Sequence, residues 1–317
     1  MKYAAVTSCT QNYSQYLEAL LVSADKYNHD FDLYVFCINM DEEFLQKIQN
    51  RKWSFNLFLK RHTEYKKDFN EHEGNHYPKK VRYSFAGWLA PYYQALLFLD
   101  VDMMFTNNIM RFFELVDGTD YLLGCNERFK WGLQKFYLLD NGKQELLPQL
   151  EMYWMICNAP LFISQQNAHF WSRAEHAATV LRRESDDKVP SDLFTMNVAL
   201  WLAGLQDKVI PLPSYCWTGV HNGYINIYTR IVKKNGRWQS ISGEPVYMIH
   251  GRWDKEGCEN YYLKEQEKRY AELGLQGKVL EKHRKLTDKT IQLIKDEFHA
   301  NRILDKKEPV NDKGADL

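Results

Sequence analysis

Leu96-Leu97-Phe98-Leu99-Asp100-Val101-Asp102-Met103-Met104-Phe105 is a core-like run interrupted by two carboxylates. Four apolar residues in succession suit a strand buried on both faces, where no polar alternation is required. The aspartates that follow stand where such a strand would leave its sheet, the end at which open α/β sheets bind ligands. Met103-Met104-Phe105 returns at once to core composition, which sets the acidic pair apart from a solvated loop.

Working outward, strand and helix patterns alternate, and this excludes an all-helical or all-β chain. Residues 1–7 read as a first strand. Over 11–27, Tyr16, Leu17, Leu20, Leu21 and Ala24 form a helical stripe, and 32–38 is a second strand, so the chain opens as a βαβ unit. A helix is expected over 41–49, a strand over 53–59, a loop or broken helix over 60–80 and a helix over 81–89. Beyond the acidic pair come a short helix (109–115), a strand (121–125), a variable insertion (131–149), a strand (155–163) and a helix (167–183). Ser191 is placed to cap a further helix running to Gly204, and late strands are expected at 209–212 and 244–249. From Asn260 the pattern is helical and highly charged, with a frayed tail from Glu308.

The 317 residues, 45% hydrophobic and 26% charged, describe an ordinary globular chain. Lys+Arg and Asp+Glu both total 41, so no global field steers the protein toward nucleic acid or anionic membrane. No stretch approaches the roughly 20 apolar residues needed to span a bilayer. Six cysteines without a Cys-x-x-Cys pair read as buried free thiols of a reducing compartment, and the expected location is cytoplasmic. His72 and His76 have helical ligand spacing, but Gly74 and polar neighbours favour a loop.

Asp100 and Asp102 at a strand end suit a hard, oxygen-ligated divalent cation, which can neutralise a diphosphate. A nucleotide-sugar transferase is the first reading. A phosphatase of the haloacid-dehalogenase type also begins with a strand ending in Asp-x-Asp, but the Gly-Thr continuation is missing and Asp186-Asp187 precedes a helix instead of ending a strand. A non-catalytic carbohydrate-binding homologue is the third reading.

Over roughly residues 1–255 the chain resembles the GT-A-fold nucleotide-diphospho-sugar transferases, and among them the retaining glycosyltransferase family 8 of glycogenin and bacterial galactosyltransferases. Val6-Thr7-Ser8-Cys9-Thr10-Gln11-Asn12-Tyr13 is similar to the opening strand and loop that hold the nucleotide base. Lys79-Lys80-Val81-Arg82-Tyr83 resembles the basic stretch that meets the donor, and Asp100-Val101-Asp102 the metal motif. Cys157-Asn158-Ala159-Pro160 resembles a sugar-binding turn, with proline where the family prefers glycine. Ser191-Asp192-Leu193-Phe194-Thr195-Met196-Asn197 resembles the Asp-Gln helix start, with Leu193 in place of the glutamine. Tyr247-Met248-Ile249-His250-Gly251-Arg252-Trp253-Asp254-Lys255 is similar to the family's terminal histidine segment, compressed and without its Pro-Trp.

The resemblance implies an α/β GT-A (Rossmann-like) fold, a mixed central sheet flanked by helices, over 1–258, with a charged helical extension at 259–307 and a flexible tail at 308–317. It implies Mn²⁺ or Mg²⁺ on Asp100, Asp102 and His250. Thr7, Ser8, Tyr13, Lys80, Arg82, Asp100 and Lys255 would contact the donor, Tyr13 by stacking and Arg82 by a bidentate grip. Asp192 and Asn158 would face the transferred sugar. The implied reaction carries a sugar from a nucleotide-diphosphate donor, a UDP-sugar by preference, to a hydroxyl of a glycan or protein, with retention; a hydroxylated base in modified nucleic acid is the minority acceptor.

Overall fold

The computed structural model describes residues 2–27, 30–62, 77–127, 136–147, 155–184, 190–212, 217–219, 231–240, 242–251, 271, 272, 274 and 276–302. The first half contains β1 (Tyr3–Thr10), α1 (Ser14–Lys26), β2 (Asp32–Ile38), α2 (Glu42–Asn50), β3 (Asn56–His62), α3 (Tyr77–Leu89), β4 (Ala95–Phe98), β5 (Met103–Phe105), α4 (Met110–Val116) and β6 (Leu122–Glu127). The second contains β7 (Phe136–Asp140), β8 (Lys143–Leu146), β9 (Met155–Ser164), α5 (His169–Val180), β10 (Leu181–Arg183), α6 (Asp192–Leu202), β11 (Val209–Leu212), β12 (Trp217–Gly219), β13 (Ile231–Lys234), β14 (Arg237–Ser240), β15 (Met248–His250) and α7 (Gly277–Ala300).

Seven strands form the central sheet in the order β11-β6-β9-β4-β1-β2-β3. Neighbours are parallel except around β9, which runs antiparallel to both β4 and β6. The apolar run at 95–98 forms the strand expected of it, buried throughout between β1 and β9. The stripe on α1 buries Leu17, Leu20, Leu21 and Ala24 in the main core, where each leucine contributes about 1.5–3 kcal/mol. Asp41 caps α2, its carboxylate accepting from the Phe44 amide at 3.1 Å, so the helix begins at Glu42.

Three local expectations are corrected. The helix expected over 167–183 stops at Val180, because Leu181, fully buried, starts β10 and pairs with β7. The supposed insertion at 131–149 contains the β7–β8 hairpin, which turns on Asn141 and Gly142, both at positive φ (49° and 77°). The last strand covers only 248–250, not 244–249. His72, His76, Asp186 and Asp187 lie outside the described residues.

Two smaller elements complete the part that carries the site. A sheet of order β12-β15-β5 sets β15 antiparallel to β5, with His250 opposite Met103 and Ile249 opposite Met104. A second apolar cluster lies against this strand pair, built from Tyr16, Ala19, Met104, Ile231, Trp238, Val246, Ile249, Ile294 and Phe298. Ile294 and Phe298 come from α7. Among the described residues no helix is long and apolar enough to cross a membrane.

Candidate metal and sugar site

Asp100 and Asp102 occupy the turn between β4 and β5, at the carboxyl end of β4. The Leu99 amide still donates to Val6 O at 3.0 Å, so the turn starts from a strand fixed in the middle of the sheet. The other side of the centre comes from β15, whose ladder with β5 continues as the Gly251 amide donates to Asp102 O at 2.9 Å. Backbone pairing therefore brings His250 to the aspartates across a sequence gap of well over a hundred residues.

His250 Nε2 lies 3.2 Å from Asp102 Oδ1 and 3.5 Å from Asp100 Oδ2. One ligand atom from each of the three residues can be chosen so that all lie within 4.8 Å of one another. Burial disfavours a charged imidazole here, but the charge and hydrogen bond of Asp102, with Asp100 and Asp192 behind it, push the His250 pKa up to about 9. For Asp100, burial acts to raise the pKa and is outweighed by Arg82 and His250, so its carboxyl lies below the usual range. The centre thus stabilises positive charge. Two carboxylates and an imidazole suit Mn²⁺ or a similar divalent ion, which would take the imidazole neutral and release its proton.

Arg82 approaches from α3 and is 4% exposed. Its Nη1 donates to Leu99 O at 3.2 Å and to Asp100 Oδ1 at 2.5 Å, and Nη2 lies 3.6 Å from Asp192 Oδ2. The guanidinium sits 4.3 Å above the Phe98 ring. It therefore binds the end of β4 to the start of α6. Desolvation works against its charge, but Asp100, Tyr83 and Asp192 more than offset this, and its pKa is raised. Sequence reading gave Arg82 a donor-facing grip; in the structure its described partners are internal, because α3 packs on β1 and α5 and turns this side chain inward.

Of the residues flagged from sequence, Arg82, Asp100, Asp102, Asp192 and His250 converge. Ser191 stands at the N-cap of α6, which puts Asp192 on its first turn. Thr7 is fully buried in β1, and Ser8 is half-buried at the same end of that strand. Tyr13 is half-buried, with its ring 5.6 Å from that of Tyr16, so part of it is used in packing. Lys80 is half-buried on α3, two residues before Arg82. The Asn158 side chain and the whole of Lys255 lie outside the described residues.

Two neighbours escaped sequence reading. Tyr83 is buried, stacked at 5.5 Å on Phe98, and burial followed by the charge of Asp192 pushes its hydroxyl pKa up. Asn197, quoted in a motif without a role, pairs with the backbone of β9: its Oδ1 accepts from Ile156 N at 3.1 Å and its Nδ2 donates to Ile156 O at 2.9 Å. The available signal was an amide in the middle of an apolar helix, which must find partners when buried.

Comparison with known proteins bears on the fold and the family. The apo structure of the bifunctional glycosyltransferase WbbM has the same fold, with a TM-score of 0.50 at 13% identity over 80% of this chain and 47% of that one. The chain thus spans about half the length of that protein. No curated protein sequence matches it. The sequence pattern of glycosyl transferase family 8 matches residues 5–186, more than half of the chain, and the protein belongs to that family.

Proposed function

We propose that the protein is a metal-dependent glycosyltransferase. It takes a hexose or similar sugar from a nucleoside-diphosphate donor, a UDP-sugar by preference, and passes it to a hydroxyl acceptor with retention at the anomeric carbon. The observation that carries this reading is the convergence of Asp100, Asp102 and His250 at the carboxyl end of β4, with their ligand atoms within 4.8 Å, in a member of this family.

Asp100, Asp102 and His250 would hold the ion, Mn²⁺ or Mg²⁺. When bound, it supplies a Lewis acid for the departing diphosphate. Arg82 fixes the carboxylate of Asp100 against β4 and keeps Asp192 turned to the same centre. Asp192 and Asn158 would orient the sugar, and Ser8 and Tyr13, half-buried near the end of β1 with Thr7 fully buried in the same strand, would receive the base. Retention follows if the acceptor attacks from the face the diphosphate leaves. That route needs positioning and charge neutralisation more than a protein nucleophile, so Leu193 in place of a glutamine is tolerated. The acceptor hydroxyl is assigned to a glycan or a protein side chain, since the balanced charge of the chain gives nucleic acid no field to follow.

A thermal-shift panel of nucleotide sugars, each with and without Mn²⁺, tests this. The cognate donor at a hundred times its dissociation constant adds about 2.7 kcal/mol to folding stability, a rise of a few degrees seen only with the ion present. If no donor shifts the midpoint with Mn²⁺ and none is hydrolysed without acceptor, the transferase reading fails.

A further inference from the structure

Met104 follows Asp102 by two residues, and Ile249 directly precedes His250. The two face each other across the β5–β15 ladder and turn into the second apolar cluster, while Met103 and Met248 turn into the main core. The strand pair that brings Asp102 to His250 is therefore supported on one face by whatever fills that second cluster. Much of the filling comes from the last turns of α7: Ile294 and Phe298 pack in the cluster, and Asn301 Nδ2 reaches the Met104 sulfur at 3.8 Å.

The helix that supplies these residues is mostly polar in sequence. Glu297 adds a specific anchor. Its side chain is 3% exposed. One oxygen accepts from Lys26 Nζ at the end of α1 at 2.9 Å; the other accepts from Lys233 Nζ on β13 and from Trp238 Nε1 on β14 at 3.4 Å. A single carboxylate thus ties α7 to three elements around the cluster. It lies next to Phe298, and its carbonyl accepts from the Asn301 amide at 3.1 Å.

We infer that Glu297 is a positioning residue of the Asp100, Asp102 and His250 centre: it holds the end of α7 against Met104 and Ile249, and through that strand pair sets how His250 meets Asp102. Coupling of this kind travels through packed side chains and a rigid ladder, both of which are present. Only its ion-binding readout rests on the proposed metal.

The test compares Glu297→Ala, Glu297→Gln and Lys233→Met with Ile48→Ala, which opens the main core beneath α2, the helix between β2 and β3 in the chain. Two quantities are measured: the Mn²⁺ dissociation constant, and the imidazole ¹H–¹³C cross-peak of His250 in metal-free protein, assigned by its loss in His250→Gln. Glu297→Ala is expected to weaken Mn²⁺ binding about tenfold and to move the cross-peak. Glu297→Gln, which keeps the shape and one of the two acceptor oxygens, recovers part of both; Ile48→Ala lowers thermal stability and moves neither. If Glu297→Ala does not fold, Lys233→Met, which removes a half-exposed partner, carries the test. Unchanged affinity and an unchanged cross-peak in a folded variant overturn the inference, as does an equal response in Ile48→Ala. If the wild-type chain binds no Mn²⁺, the metal reading falls and the cross-peak alone decides the coupling.

Discussion

The sheet region and the region that carries α7 meet at the same three side chains but are held together by different physics. Around β1, β4 and β9 the core is a continuous apolar block, and Asp100 and Asp102 leave it on a strand buried on both faces. Around β15 the second apolar cluster is small, the strand that carries His250 is three residues long, and a buried carboxylate pairs with two lysines beside it. The family pattern ends at residue 186, so His250 and the elements that support it lie beyond it. A centre assembled this way depends on a strongly specified half and on a half whose specification is tertiary.

The largest expected effects come from cutting one ligand on each side. Asp102→Ala and His250→Ala should each weaken Mn²⁺ binding by more than about a hundredfold, since even outer partners of a metal cost ten- to a hundredfold; isothermal titration with Mn²⁺ measures both. Near-equal losses mean the two regions share the ion. If His250→Ala binds like wild type while Asp102→Ala does not, the centre belongs to the sheet region alone.

Next come the two cores. Phe113 is fully buried among Tyr3, Phe31 and Phe162, and Phe298 packs on Tyr16 in the second cluster. Truncation of a buried phenylalanine to alanine costs about 3–5 kcal/mol, more where the surroundings cannot close the gap. Urea unfolding should put Phe113→Ala at the upper end of that range and Phe298→Ala at the lower. The reverse order would make the small cluster the better packed of the two.

The same contrast decides what was legible in the chain. Leu96-Leu97-Phe98 declares a doubly buried strand from composition alone, and Val209–Leu212 forms the strand read for it, residue for residue. Asp100, Asp102, Arg82, Asp192 and His250 were all flagged, and the fold brings them together. The internal partners of Arg82 were not legible: the resemblance implies a grip on the donor, and only the packing of α3 shows the side chain buried against Asp100 and Asp192. Asn141-Gly142 was a local hairpin signal left unused, whereas β10 had none, because its strand character comes from pairing with β7. Glu297 was hidden most deeply. In a lysine-rich helix it looks solvated, and its partners Lys26 and Lys233 are 271 and 64 residues away.

The smallest predicted effect separates a buried ion pair from an exposed one. Asp120 pairs with Lys208 at 2.6 Å in the sheet region, with both side chains largely in water, and Glu297 pairs with Lys26 and Lys233 under α7. The hydrogen bond from Lys208 lowers the Asp120 pKa; at Glu297 burial opposes ionisation and the two lysines outweigh it, so that pKa is lowered as well. A folded-state pKa below the unfolded value contributes stability that is complete above the unfolded value, 4.5 for Glu, and is lost as pH falls through the folded one. Glu297→Gln should therefore cost about 2 kcal/mol at neutral pH, the size of hydrogen bonds to a buried charge. Its melting curve should begin to approach that of wild type below 4.5 and meet it only once the pH has fallen through the lowered folded-state pKa, where the native wild-type carboxylate becomes neutral too. Asp120→Asn should track wild type across the whole range, since exposed pairs are screened by solvent. Melting midpoints against pH for the three proteins read this directly. A Glu297→Gln deficit that stays constant into acid would mean that the pattern of acceptors, not the charge, anchors α7.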